Sequence, residues 1–195
     1  YWYAYKENAD DTATITITDF LGPVDSTKTP APYTITVPTE LDGRKVTGLG
    51  ESSFSGIYSS DHQKDSTLLS FCNQIQSVTI PESVTSIGKS AFEDCSNLDS
   101  LTIKGVATSI GAYAFGSCTS LTSLSLVGSF QTIGDSAFVN CGMTSLTIDA
   151  TITSIEKYAF SSRFLTSLSL TGNVQKIGDH AFDSCSSLYT VTLPK

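Results

Sequence analysis

Charge is scarce in this chain: only 15% of its 195 residues are Asp, Glu, Lys or Arg. What charge there is has one dominant sign, a formal net of -8 at pH 7. That balance argues against nucleic acid or an anionic membrane surface as a partner, since both need a basic stripe to displace counterions. Apolar runs are a few residues long, far from the roughly 20 that a spanning helix requires, so membrane insertion is not expected. His occurs twice and Met and Trp once each, which leaves little material for general-base or metal chemistry. No Asn-x-Ser/Thr acceptor occurs, so there is no N-glycosylation argument for a eukaryotic extracellular origin. The chain opens at Tyr1 without Met or a signal peptide, so a processed or engineered start is expected and compartment must be judged indirectly. Against these absences, an apolar fraction of 39% excludes a disordered chain and allows one domain with a continuous core.

What the chain has is repetition. Residues 110–126 read IGAYAFGSCTSLTSLSL, and the same phrase returns before and after. Its leading Ile recurs at Ile87, Ile110, Ile133, Ile155 and Ile177, spacings of 23, 23, 22 and 22 residues. A period in this range means a solenoid. An Ala-Phe pair keeps step, with Phe92, Phe115, Phe138, Phe160 and Phe182, as a stacked core requires and a catalytic site does not. The apolar set Ile87, Phe92, Cys95, Leu98, Leu101 and Ile103 returns as Ile110, Phe115, Cys118, Leu121, Leu124 and Leu126.

The end of each L-x-x-L-x-L phrase alternates and predicts a short strand, with copies at 78–80, 101–103, 124–126, 146–148, 168–170 and 191–193. Stacked about 4.8 Å apart, these strands make a parallel sheet along one side of the coil. Phe and Cys three residues apart predict a short helix or 3₁₀ turn. The β-branched segments 84–87 and 152–155 predict a second short strand, and Gly88, Gly111, Gly134 and Gly178 permit a tight corner after it.

Before the repeats, TATITIT at 12–18 alternates strictly and predicts a strand with Ile15 and Ile17 turned inward, and YTITVP at 33–38 predicts another. Between them Gly22, Pro23, Pro30 and Pro32 mark a loop. Residues 1–45 are thus expected to cap the stack, as repeat proteins require. The repeats occupy 46–195, starting where VTGLGESSF at Val46 matches VTSIGKSAF at Val84. About fifteen residues are inserted near 55–71, among them Tyr58, Asp61, His62, Lys64 and Asp65. Such an insertion must leave the stack as a surface loop, either a binding loop or merely a solvated one.

Cys72, Cys95, Cys118, Cys141 and Cys185 share one repeat position, and Arg163 replaces them in one copy. An odd number at a position set by the stack reads as a buried ladder of free thiols. Neighbouring coils approach disulfide range, but side chains projecting in parallel disfavour the torsion. Zinc is not expected, because no CxxC or partner His accompanies them.

The repeated phrase I-G-x-x-A-F-x-x-C-x-x-L-x-x-L-x-L, with VTIPESVTSIG at 78–88, resembles the BspA-like leucine-rich repeats of bacterial and some protozoan surface proteins. The resemblance covers 46–195, and DDTATITITDFLG also looks like the way such domains begin. It implies a right-handed leucine-rich-repeat solenoid, an exported bacterial location, and adhesion or protein binding without catalysis or cofactor. The insertion after Phe54 and Arg163 depart from the pattern.

Candidate binding residues fall into three groups. The outward strand positions Ser77, Thr79, Ser100, Thr102, Ser123, Ser125, Ser145, Thr147, Ser167, Ser169, Thr190 and Thr192 form a hydroxyl ladder. It is either a recognition face or simply what suits an exposed sheet. Tyr113, Tyr158 and Tyr189 are candidate aromatic anchors, Tyr113 and Tyr158 at a position where other copies carry Ser90, Ser136 and His180. Tyr58 and His62 stand in the insertion. His62 and His180 have acidic neighbours, Asp61 and Asp179, but neither G-x-S-x-G nor a phosphate loop occurs, so no enzyme is expected. The expected partner is a host surface or matrix protein; a glycan, a passive spacer role, or end-to-end self-association through the C-terminal strand edge are the alternatives.

Overall fold

Two extended stretches in every repeat build two parallel sheets, which share their longest strands. The computed structural model describes residues 2–22, 32–55 and 72–193; nearly all of the insertion, including Tyr58 and His62, lies outside them. The strands are β1 (Trp2–Asn8), β2 (Asp11–Gly22), β3 (Tyr33–Thr36), β4 (Glu40–Leu41), β5 (Arg44–Leu49), β6 (Ile75–Ile80), β7 (Ser86–Ile87), β8 (Ser100–Ile110), β9 (Ser123–Ile133), β10 (Ser145–Ile148), β11 (Thr151–Ile155), β12 (Ser167–Leu170), β13 (Val174–Ile177) and β14 (Thr190–Thr192). One face carries β3, β6 and the first halves of β8 and β9, followed by β10, β12 and β14. A second face carries β2, β5, β7, the ends of β8 and β9, then β11 and β13. β1 lies antiparallel on β2, so the chain's start shields the first edge of the second face.

The interior is a column of rings. Phe54, Phe92, Phe115, Phe138, Phe160 and Phe182 stack with centroids 4.5, 5.1, 5.2, 5.2 and 5.6 Å apart and planes within 13° of parallel. Phe20 of β2 extends the column by stacking on Phe54 at 5.3 Å, a role its place outside any repeat phrase did not announce. Ile15 and Ile17 point inward and are fully buried, as their alternation predicts.

The expected short helices are not there: each regular segment between the corner Gly and Cys is a string of turns. The cause lies in where its N–H groups go. Phe92, Phe115, Phe138 and Phe160 donate to the carbonyl of the Ala in the next coil, at 2.7 to 2.8 Å, while intervening residues such as Glu93 and Val139 close i to i−3 turns. A helix would need all of those donors for itself. Alternation also demands left-handed residues: Ser90, Tyr113, Ser136, Tyr158 and His180 have φ of 55 to 58°, and Asp94, Ser117, Asn140 and Ser184 repeat this one turn later. Left-handed residues do not propagate a right-handed helix.

The cysteine ladder is also corrected in part. Cys72 and Cys95 form a disulfide, with Cα atoms 5.1 Å apart, inside the usual range. Parallel projection applies only where both cysteines leave the regular Phe-x-x-Cys turn, and Cys72 follows the insertion instead. Cys118, Cys141 and Cys185 are free. The Cys118 and Cys141 thiols are buried and donate to the Phe92 and Phe115 carbonyls at 3.3 Å. Burial pushes the Cys141 thiol up to about 12, and burial aided by neighbouring Cys141 pushes Cys118 well above its ordinary value.

Truncating one ring of the column leaves a cavity flanked by rings that cannot close on it, so Phe115→Ala should lower the unfolding free energy by about 3–5 kcal/mol, read from urea denaturation. The thiols predict an alkaline limit. Because folding raises their pKa, the stability they contribute is intact below the ordinary value of 9.0 and is lost as pH rises toward 12. The melting temperature of the native chain should therefore fall more steeply between pH 9 and 11 than that of a Cys118→Ala/Cys141→Ala variant.

Candidate functional site

The hydroxyl ladder is real, but it is two ladders. Thr34, Ser77, Ser100 and Ser123 stand in register, as do Thr36, Thr79, Thr102 and Ser125. Beyond them Ser145, Ser167 and Thr190 form a second row with Thr147, Ser169 and Thr192 beside it. Between β9 and β10 the ladder stops: β10 pairs with β12 alone, and the two strands do not approach at ladder distance. On the second face β9 and β11 remain paired, so the coils diverge like a hinge opened on one side.

Exposure rises at this seam, as it does at the two ends of the face, where Thr34, Thr36, Thr190 and Thr192 are exposed. Ser123, Ser125, Ser145 and Thr147 beside the seam are exposed, whereas Ser77, Thr79, Ser100, Thr102, Ser167 and Ser169 are half-buried. Leu124 is only partly buried, although its counterparts Leu101 and Leu146 are 0% and 2% exposed. One change in sequence falls here. The Cys141 coil is one residue shorter than the one before it, with Met143 filling the core place that Leu121 occupies three residues after Cys118. Gly142 spans the shortened link so closely that a Cβ would lie 2.3 Å from the Thr119 carbonyl oxygen. On the second face Phe130, 2% exposed, occupies a position where the coils on either side put Thr108 and Ile152, and the ladder there stays closed.

The aromatic candidates do not gather with the ladder. Tyr113, 41% exposed, and half-buried Tyr158 lie on the turn side, both left-handed. Tyr158 stacks on His180 at 5.2 Å and lies under the Lys157 ammonium. His180 bonds to Asp183 at 3.2 Å rather than to its neighbour Asp179. A hydrogen bond from Ser184, then His180, holds the Asp183 carboxyl below its usual range. Tyr189, 81% exposed, stands at the last strand, next to exposed Val191 and Leu193. Among the described residues, no group of three or more His, Cys, Asp or Glu could hold a metal ion, and no helix is long and apolar enough to cross a membrane.

With no ladder partner across the seam, the amides of 124–126 that face it should be less protected than their counterparts in 101–103. Those of β9 that face the seam should exchange at least about tenfold faster than the matching amides of β8, by hydrogen exchange with residue resolution.

The comparisons agree with this architecture. The pattern of the BspA type leucine rich repeat region matches in 6 copies, over residues 40–123, 65–166 and 91–195. Among curated proteins none matches the chain. Solved structures share the fold: a leucine rich repeat protein of T. pallidum is 22% identical with a TM-score of 0.64, covering 96% of this chain and 88% of that one. A leucine-rich repeat protein from Bacteroides ovatus is 22% identical with a TM-score of 0.58, over 98% of this chain and 52% of that one. A leucine rich cell surface protein from Faecalibacterium prausnitzii is 24% identical with a TM-score of 0.55, over 97% and 52%. The chain thus spans about half the length of the last two. With the repeat pattern running from residue 40 to the end and the ring column beneath it, this chain belongs to the BspA type leucine-rich-repeat family.

Proposed function

We propose that this chain is a non-catalytic adhesion module, displayed on a bacterial surface or secreted, whose hydroxyl-ladder face docks a host or matrix protein. Leucine-rich-repeat solenoids of this family are protein-binding scaffolds, and the ladder face is the long, regular surface this one offers. The observation that carries the reading is the seam: in the middle of the face the exposed ladder residues Ser123, Ser125, Ser145 and Thr147 meet at a partly buried Leu124. An apolar spot rimmed by small donors and acceptors has the make-up of an interface centre. The absence of formal charge on these four side chains lowers the desolvation cost of covering them.

The test is binding of a panel of purified, immobilised matrix proteins to the chain and to a Ser125→Arg/Thr147→Arg variant. Because both sites are exposed, the variant should keep its melting temperature. It should lose at least about tenfold in affinity, since two unpaired cations would be buried under the partner. Failure of the native chain to bind any member, or equal binding by the variant, would rule out this face.

A further inference from the structure

Where the turns enter the strands, at the rim of the ladder face, an open cavity of about 540 Å³ is lined by Asn73, Gln74, Gln76, Asn97, Asp99 and Ser120, with Pro32 at its side. We infer that this rim cavity is a binding site for a neutral, linear saccharide, separate from the protein-docking seam and not dependent on it. Its volume lies within the range of about 300–1,000 Å³ found for small-ligand sites.

The chemistry of the lining carries the assignment. Four of the seven residues are carboxamides, each both donor and acceptor, which suits hydroxyls that are themselves both. Among the described residues no cation lines the cavity, so they offer an anionic ligand no counter-charge. The polar groups are also held in place. Gln76 Nε2 donates to Asp99 Oδ2 at 2.9 Å, Ser96 Oγ donates to Asn73 Oδ1 at 3.0 Å, and Asn97 Nδ2 donates to the Asn73 carbonyl. Each of these contacts uses only part of the side chain's capacity, leaving Asp99 Oδ1, Gln76 Oε1 and Asn97 Oδ1 for a ligand. Side chains fixed beforehand lose little entropy on binding. The exposed Pro32 ring adds an apolar surface for the C–H face of a sugar.

Spacing supplies the second argument. Gln74, Asn97 and Ser120 occupy the same place in three successive coils, two residues after Cys72, Cys95 and Cys118, and Gln76 and Asp99 form a parallel row four residues after Cys72 and Cys95. Coils rise by about 4.8 Å, close to the length of one pyranose unit, so equivalent hydroxyls of a linear chain can meet equivalent side chains in turn. The polar row Gln74, Asn97 and Ser120 ends at the shortened coil, where Met143 takes a core place instead, and that sets the site at two to three sugar units.

Isothermal titration with cellotetraose, xylotetraose and mannotetraose, and with a sulfated heparin tetrasaccharide as the charged comparison, tests this. At least one neutral tetrasaccharide should bind saturably. Gln74→Ala and Asp99→Ala should each weaken it by about tenfold or more, while Thr153→Ala, on the second face, should not. Unchanged melting temperatures would separate lost contacts from lost folding, and a chemical-shift map should place the perturbed amides at 73–76 and 97–99. The inference is overturned if no neutral tetrasaccharide binds, if the heparin tetrasaccharide binds more tightly than all three, or if both rim variants bind as the native chain does. Because the matrix-protein assay uses Ser125 and Thr147, each proposal can fail without the other.

Discussion

The spacing between coils is the constraint on which the rest of this structure depends. Strands in a parallel ladder stand about 4.8 Å apart, and the rings of Phe54 to Phe182 stack at 4.5 to 5.6 Å. One repeat length satisfies both, so the hydrogen-bonded surface and the apolar interior reinforce each other coil after coil. The third partner is the turn backbone, whose alternate N–H groups reach the next coil from each Phe. With ring, strand and turn all tied to the same neighbour, no coil is stable alone and each stabilises the next.

That coupling explains how the chain treats its irregularities. An extra stretch of residues cannot be absorbed inside a coil of set circumference. A missing residue cannot be ignored either. The shortened link at Gly142 is drawn against the Thr119 carbonyl on the turn side, and the strand face gives way between β9 and β10. The next coil is equally short, and β10 and β12 pair again. The opening thus belongs to the junction and not to the shorter coil itself.

Surface chemistry follows from the same geometry. Tyr113, Tyr158 and His180 owe their outward position to a left-handed backbone that each turn requires, and side chains there tolerate change because the interior does not select them. The ladder hydroxyls are the opposite case: their direction is set by strand alternation, and their exposure by whether the adjacent strand closes on them. Two surfaces result, a strand face whose centre is the seam and a rim where amides of successive coils line a cavity. A solenoid can offer both because each coil contributes to every side of it.

The repeat phrase determined the most. Period, inward Phe, Leu and Ile, the second short strand and the outward Ser and Thr were all legible, because each depends on alternation or spacing along the chain. Phe20 was not, since its partner Phe54 belongs to a different segment. Nor was the turn conformation: Phe and Cys three apart suit a helix locally, and only hydrogen bonds to the next coil divert the backbone. Tertiary structure likewise decided that Cys72 meets Cys95, that β9 and β10 part, and that Gln76 and Asp99, 23 residues apart, bond across one rim. A one-dimensional period states which residues are equivalent. How closely two unequal coils fit depends on the volumes and backbone contacts between them, and those exist only once the chain is stacked.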